Sequence, residues 1–269
     1  MKLAWSDAFE PGVLGAVRPL ALDGPITREW AWGGSTGAGV RVAIIDSGID
    51  AAHPLVGDVQ SSVVVRHDPD AEGEVRIERA EHEDVFGHGT ACAAIIRGLA
   101  PDCELHSIRV LGTNLRARGT VFAAGARYAI EQGMHVVNMS LSSNKRDLFG
   151  LFHELVDEAV FRRVMLVCAA NNVPAPTYPA EFSGVFSVAA HAGRDPLRFD
   201  YNPVPPVEFG APGIDLEVAW TGGRTIQSSG NSFAAPHIAG IVALMLAKHP
   251  GLAPFEVKTI LHALADNAA

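Results

Sequence analysis

The sequence predicts an α/β fold with a doubly wound parallel sheet, and three observations carry that prediction. Short apolar runs of strand length alternate with longer helix-patterned segments from Arg41 to the C-terminus. The connections between them are short, the pattern of strand–helix–strand units. The strand runs are apolar throughout, as strands covered by helices on both faces must be. A chain of 269 residues, 48% of them hydrophobic, is long enough to bury one large core as a single domain.

The elements follow in order. "RVAIID" (41–46) is an apolar run ending in an acid and reads as a buried strand. "HGTACAAIIRG" (88–98) reads as a helix and "ELHSIRVL" (104–111) as a strand. "TVFAAGARYAIEQG" (120–133) predicts a helix with Thr120 as N-cap and Gly133 at its C-terminal end. "HVVNMS" (135–140) is a strand, "RDLFGLFHELVDEAVFRR" (146–163) an amphipathic helix, and "VMLVCAA" (164–170) and "GVFSVAA" (184–190) are further strands. Residues 191–230 are rich in Pro and Gly and read as surface loops with short β pieces. A helix then opens with Asn231 as N-cap and Ser232 as its first residue. "PFEVKTILHALADN" is the last helix, with Pro254 in its first turn.

Composition excludes several function classes. The net charge is −9 and no run of Lys and Arg appears, so no nucleic-acid partner is expected. No stretch approaches about 18 consecutive apolar residues, so no membrane span is expected. The N-terminus "MKLAWSDAFEPGVLGAVRP" carries Asp7 and Glu10 and makes a poor signal peptide. Three cysteines without a CxxC pair argue against a disulfide framework. Cys92 and Cys168 lie in apolar runs and Cys103 in a turn. Together these features predict a cytoplasmic, reducing environment.

Three residues stand where chemistry could occur. Asp46 ends a buried strand, where a carboxylate needs a partner; Asp-Ser-Gly is also ordinary turn chemistry. His88 opens a helix between Gly87 and Gly89. It could be a plain helix-cap histidine, or half of a zinc site with His82, Glu83 and Asp84, although no H-E-x-x-H spacing occurs. Ser232 opens another helix beside free N–H groups and the positive end of the dipole, a good place for a nucleophile whose product is an oxyanion. A capping turn would put a small polar residue there too.

Read together, "VAIIDSGID", "DVFGHGTACA" and "GNSFAAPHIAG" resemble the three motif segments of the subtilisin-like serine proteases, in the same chain order. "TGAGVRVAIIDSGIDAAHP", "HVVNMSLS" and "VMLVCAANN" extend the resemblance from about Trp30 to the C-terminal helix. It implies a three-layer, mostly parallel subtilisin-like fold. It implies that Asp46 orients His88, that His88 takes the proton of Ser232, and that Ser232 attacks the scissile carbonyl. The Ser232 N–H and a side-chain amide would hold the oxyanion; by register that amide is Asn172, with Asn171 replacing a Gly, and a one-residue slip would reverse the two. An extended peptide or protein substrate would add a strand between Ser140–Leu141–Ser142 and the loop around Leu115, Arg116 and Arg118. Ala169 and Ala170 would line the pocket for the residue before the cleaved bond, and Asn171 would narrow it.

The sequence also departs from the family pattern. Residues 1–269 read as one peptidase domain in which about 1–29 form an N-terminal extension packed on the domain, with no room for a pro-segment. Asn231 replaces the usual Thr before the nucleophile, and Ser142 a usual Gly. The helix after His88 lacks the looped-out segment that many relatives use for calcium, and Leu55 stands where an acidic ligand would fall; Asp58 is the nearest substitute. No metal and no cofactor are therefore expected. Cys92 reads as a buried thiol under the histidine. The function expected is a serine endopeptidase engaged in limited intracellular processing. A peptide ligase or macrocyclase using the same triad, or an inactive binding module of protease shape, are the alternatives. Arg116 and Arg118 raise the further possibility of a preference for acidic substrates.

Overall fold

The computed structural model describes residues 6–14, 24–81 and 83–268. The chain begins with a 3₁₀ turn at Ser6–Phe9 and a helical turn α1 (Pro11–Leu14), then α2 (Arg28–Trp32). β1 (Arg41–Asp46), β2 (Val59–His67) and β3 (Val75–Arg79) precede α3 (His88–Leu99). β4 (Glu104–Arg109), α4 (Gly119–Glu131), β5 (Val136–Met139), α5 (Phe149–Phe161), β6 (Met165–Ala169) and β7 (Phe186–His191) alternate as expected. β8 (Asp200–Tyr201), β9 (Phe209–Pro212), and the hairpin of β10 (Leu216–Trp220) and β11 (Arg224–Ser228) occupy the Pro- and Gly-rich region. α6 (Asn231–Lys248) and α7 (Pro254–Leu264) follow.

Nine strands form one sheet in the order β3-β2-β4-β1-β5-β6-β7-β9-β8. Only the outermost pairs, β2–β3 and β8–β9, are antiparallel. β1 lies between β4 and β5, and both of its faces are covered. Val42 and Ile44 pack in a core with α3, α6 and α7. Ala43 and Ile45 pack in a second core with α4 and α5. This period-two division explains why the run is apolar at each position from Val42 to Ile45. The parallel register brings the carboxyl ends of β1, β5 and β6 to one edge of the sheet. Chain crossovers leave a crevice at such an edge.

Several expectations are corrected. β2 and β3 were not foreseen: "VQSSVVVRH" pairs near the sheet edge, and its mixed polarity hides the strand. α4 starts one residue early, at Gly119, and the residue preceding it is Arg118 rather than Thr120. A Cβ at Gly119 would lie 2.0 Å from the Leu148 side chain, so only glycine fits at this first position without moving Leu148. Asn231 is not an N-cap either; Gly230 precedes α6, without a side-chain cap. The expected N-terminal extension falls partly on residues 1–5 and 15–23, outside the described residues. At its end, Arg28 pairs with Asp266 at 2.7 Å.

Candidate active site

The site is built at the carboxyl edge of the sheet. Asp46, the last residue of β1, is fully buried. Its Oδ1 accepts the Ser47 N–H at 2.7 Å, and both of its oxygens lie 2.9 Å from His88 Nδ1. His88 is the first residue of α3. Gly87 before it has φ 124°, a backbone state reserved for glycine, and a Cβ there would stand 2.4 Å from the Trp220 ring. Burial works against the imidazolium, but the charge and hydrogen bond of Asp46, with the charge of Asp84 behind them, outweigh it. The His88 pKa is raised above its ordinary 6.5.

Asp84 is not part of a zinc set. Its two buried oxygens accept from Ser47 Oγ, the N–H groups of Phe86, Gly87 and Thr90, and Thr90 Oγ1, all within 3.0 Å. It thereby pins the start of α3 to the end of β1. His82, its supposed partner, lies outside the described residues. Among the described residues only Asp46, His88 and Cys92 bring metal-ligating atoms together. There, however, His88 Nδ1 already faces Asp46, and burial, reinforced by Asp46, holds the Cys92 thiol well above its usual range.

Ser232 is the second residue of α6. Pro236, four residues on, has no N–H to return to the Ser232 carbonyl. Ser140 Oγ donates to that carbonyl instead, at 2.7 Å, and the Cys92 thiol approaches it at 3.7 Å. Ser140 in turn accepts from Asn138 Nδ2 at 3.0 Å. The nucleophile's backbone is thus held by the sheet rather than by its own helix. The Ser232 N–H has no partner among the described residues and remains a donor for the cleft.

Asn231 reaches sideways. Its Nδ2 donates to the carbonyls of Ala170 and Asn171, and its Oδ1 accepts the Ala190 N–H. Its own N–H holds Asn172 Oδ1 at 2.9 Å, which leaves the Asn172 Nδ2 donors uncommitted. That Nδ2 and Ser232 Oγ both lie beside Gly230, where a Cβ would meet them at 3.6 and 3.1 Å. Asn171 is engaged elsewhere: its Nδ2 donates to the Pro176 carbonyl and its N–H to Thr177 Oγ1. The geometry therefore favours Asn172 as the oxyanion amide.

His88, Ser232, Asn171 and Asn172 line one cleft of about 380 Å³, with Leu115, Leu141, Ser142, Ala169 and Ala170 along its walls. No hydrogen bond joins His88 to Ser232 in this unliganded arrangement; such contacts often tighten only with substrate. Ser140 lines the cleft, but its hydroxyl is committed to Ser232. Arg116 and Arg118 stand off the cleft, along the loop beyond Leu115. No backbone hydrogen bond joins 140–142 to 115–118 among the described residues, which is the slot a third strand needs. Sequence reasoning missed Phe86, Trp220 and Phe233 in the lining. An aromatic pair formed by Phe86 and Trp220, from separate elements, leaves no spacing signal.

The residues where many relatives of the family hold calcium do not fit that ion here. α3 runs unbroken from His88 to Leu99, and Leu55 is exposed and apolar. The carbonyls beside Leu55 already receive the Arg97 guanidinium: Val56 and Asp58 at 2.8 and 2.9 Å, Pro101 and Cys103 both at 2.7 Å. All three cysteines are free and buried. No helix among the described residues is long and apolar enough to cross a membrane.

The chain is similar to known proteins over most of its length. A protein-family profile described as the Subtilase family matches residues 37–269. A thermostable alkaline protease of Halalkalibacterium halodurans is 31% identical over 84% of the chain and 62% of its own length. Subtilisin BL of Lederbergia lenta is 30% identical over 85% of the chain and 84% of its own. An intracellular serine protease of Paenibacillus polymyxa is 34% identical over 84% of the chain and 71% of its own. The crystal structure of a cold adapted subtilisin-like serine proteinase superposes with a TM-score of 0.68 at 24% identity, covering 87% of both chains, a likeness of fold.

Proposed function

The chain belongs to the subtilase family, and on that premise we propose that it is a serine endopeptidase that hydrolyses peptide bonds through an acyl-enzyme. The observation that carries the reading is the Asp46–His88 pair at 2.9 Å, opening onto the same cleft as Ser232 and Asn172. Asp46 holds the imidazole with Nδ1 protonated and steadies the imidazolium that forms. His88 Nε2 removes the Ser232 hydroxyl proton as Oγ attacks the carbonyl carbon, and the carbonyl π electrons move onto oxygen. The Ser232 N–H and Asn172 Nδ2 receive that oxyanion, aided by the N-terminus of α6. His88 then gives the proton to the departing amine. Water, activated by the same histidine, attacks the acyl carbon and releases Ser232.

The substrate is an extended peptide segment lying between 140–142 and the loop at Leu115, with the residue before the cleaved bond against Ala169 and Ala170. Limited processing in a reducing, cytoplasmic compartment suits three unpaired cysteines, and the name of the Paenibacillus polymyxa relative points the same way. A fluorophosphonate probe should label the wild type and not Ser232→Ala, and a peptide library read by mass spectrometry should show hydrolysed products. Products short by one water would indicate a ligase. Wild-type-like proteolysis by Ser232→Ala would overturn the assignment.

A further inference from the structure

We propose that the loop 112–118 and the adjoining end of β4 select substrates bearing acidic side chains two to four positions before the cleaved bond, through Arg109, Arg116 and Arg118. The inference rests on the peptidase reading above. The cleft lining contains no charged side chain apart from His88, so charge is read outside it or not at all. The loop separates two hollows that adjoin the cleft. One, of about 430 Å³, is lined by Arg66, His67, Arg109, Arg116 and Arg118, and no Asp or Glu contributes to its wall. The other, of about 1090 Å³, shares Arg116 and Arg118 and adds Lys145, opposed by Glu74 and Asp147. The first meets the cleft at Leu111, the second at Leu111, Leu115 and Leu141. A strand leaving the cleft along this loop therefore passes Arg116 and Arg118 whichever hollow it enters, with Arg66, His67 and Arg109 on the first side and Lys145, Glu74 and Asp147 on the second.

Among the described residues, only Arg66 of these arginines and the lysine is spent on an internal pair. Arg66 is held by Glu78 at 2.9 Å. Arg109, Arg116, Arg118 and Lys145 have no carboxylate within 4.0 Å among the described residues. Arg109 is half-buried, its backbone in register with Asp46 and its side chain on the first hollow. The chain as a whole carries 30 acidic residues against 21 basic ones. A cationic shoulder next to the cleft runs against that excess and makes a local attractor for an anionic segment.

The test uses Ser232→Ala protein, which binds without turnover, and two fluorescent peptides taken from a library cleavage site. They differ only in Glu against Gln at positions two to four before the bond. The Glu peptide should bind about fivefold tighter per matched charge, the scale of an exposed ion pair. The gain should vanish as salt rises from about 0.01 to about 1 M and the screening length falls from about 30 to about 3 Å. Adding R116E and R118E should reverse the order, so that a Lys peptide binds better than the Glu peptide. Arg109→Gln should shrink the preference, which gives a second reading that does not depend on the reversed loop. Equal binding of the two peptides at low salt, no binding of either, or a Glu preference that survives R116E/R118E overturns the inference. The peptidase reading fails separately, by absence of fluorophosphonate labelling at Ser232 in the wild type.

Discussion

Arg97→Met removes the cation that ties two loops to α3 while keeping an unbranched stem in place. Four carbonyls lose a charge-assisted donor: Val56, Asp58, Pro101 and Cys103, bonded at 2.7 to 2.9 Å. A hydrogen bond to a charged group contributes about 1.5–3 kcal/mol when fully buried. Arg97 is only half-buried, and water can replace part of what is lost, so the sum must be discounted. A net loss of about 2–4 kcal/mol is expected, or about 5–10 °C in melting temperature for a domain of this size. The assay is thermal unfolding by circular dichroism in a Ser232→Ala background, which removes self-cleavage from the trace. Arg97→Lys should fall between the two, because an ammonium has three donors and no planar fork. Chelator and added calcium should leave wild type and variant unmoved. A shift below about 2 °C for Arg97→Met, under about 1 kcal/mol on the same scale, would refute the reasoning. A chelator-induced fall restored by calcium would refute it equally.

Asn172→Ala should lower kcat by about 10² to 10³ with little change in KM, whereas Asn171→Ala should alter which residue is accepted before the cleaved bond; steady-state kinetics on matched peptides would show the reverse if the amide assignment is off by one. Activity should rise with pH as His88 loses its proton, with a midpoint above the ordinary 6.5. Asp84→Asn, which removes one of the charges favouring the imidazolium, should move that midpoint down, and an unmoved kcat/KM profile would leave Asp84 a purely structural residue. His237 is buried and its pKa is pushed down to about 4 from 6.5, chiefly by burial. The unfolded chain therefore binds the extra proton first, and stability should fall by about 3 kcal/mol as pH drops from 6.5 through about 4. His237→Gln should flatten that part of the melting-temperature curve, and an unchanged slope would reject it.

The three candidate triad residues stand out in the sequence because each sits near a glycine-marked turn: Asp46 before Gly48, His88 after Gly87, Ser232 after Gly230. Such junctions survive in one sequence because backbone geometry, not a distant partner, selects their residues. The sheet was legible where both faces are covered, as in β1, and hidden at β2 and β3, where polarity is mixed. Caps at Thr120 and Asn231 were misread because tertiary partners won. Leu148 packs closely against Gly119 at the start of α4, and Asn231 spends its amide on Ala170, Asn171 and Ala190. Arg97 left no trace in the pattern, since backbone carbonyls accept its guanidinium and any residue supplies one. Asp84 was noticed as a metal-ligand candidate. Only its five donors reveal a carboxylate that organises the histidine turn.

Pro236 makes the first turn of α6 depend on the end of β5. An ordinary helix secures its own first turn, so a serine placed there would be set as soon as the helix formed. Here the carbonyl of Ser232 waits for Ser140, which arrives only when α6 docks on the end of β5. Asp46 lies 42 residues before His88, and His88 lies 144 residues before Ser232, so all three must be brought together by the finished sheet. On refolding, helical signal should return before peptidase activity does, and the delay between them measures the docking of α6.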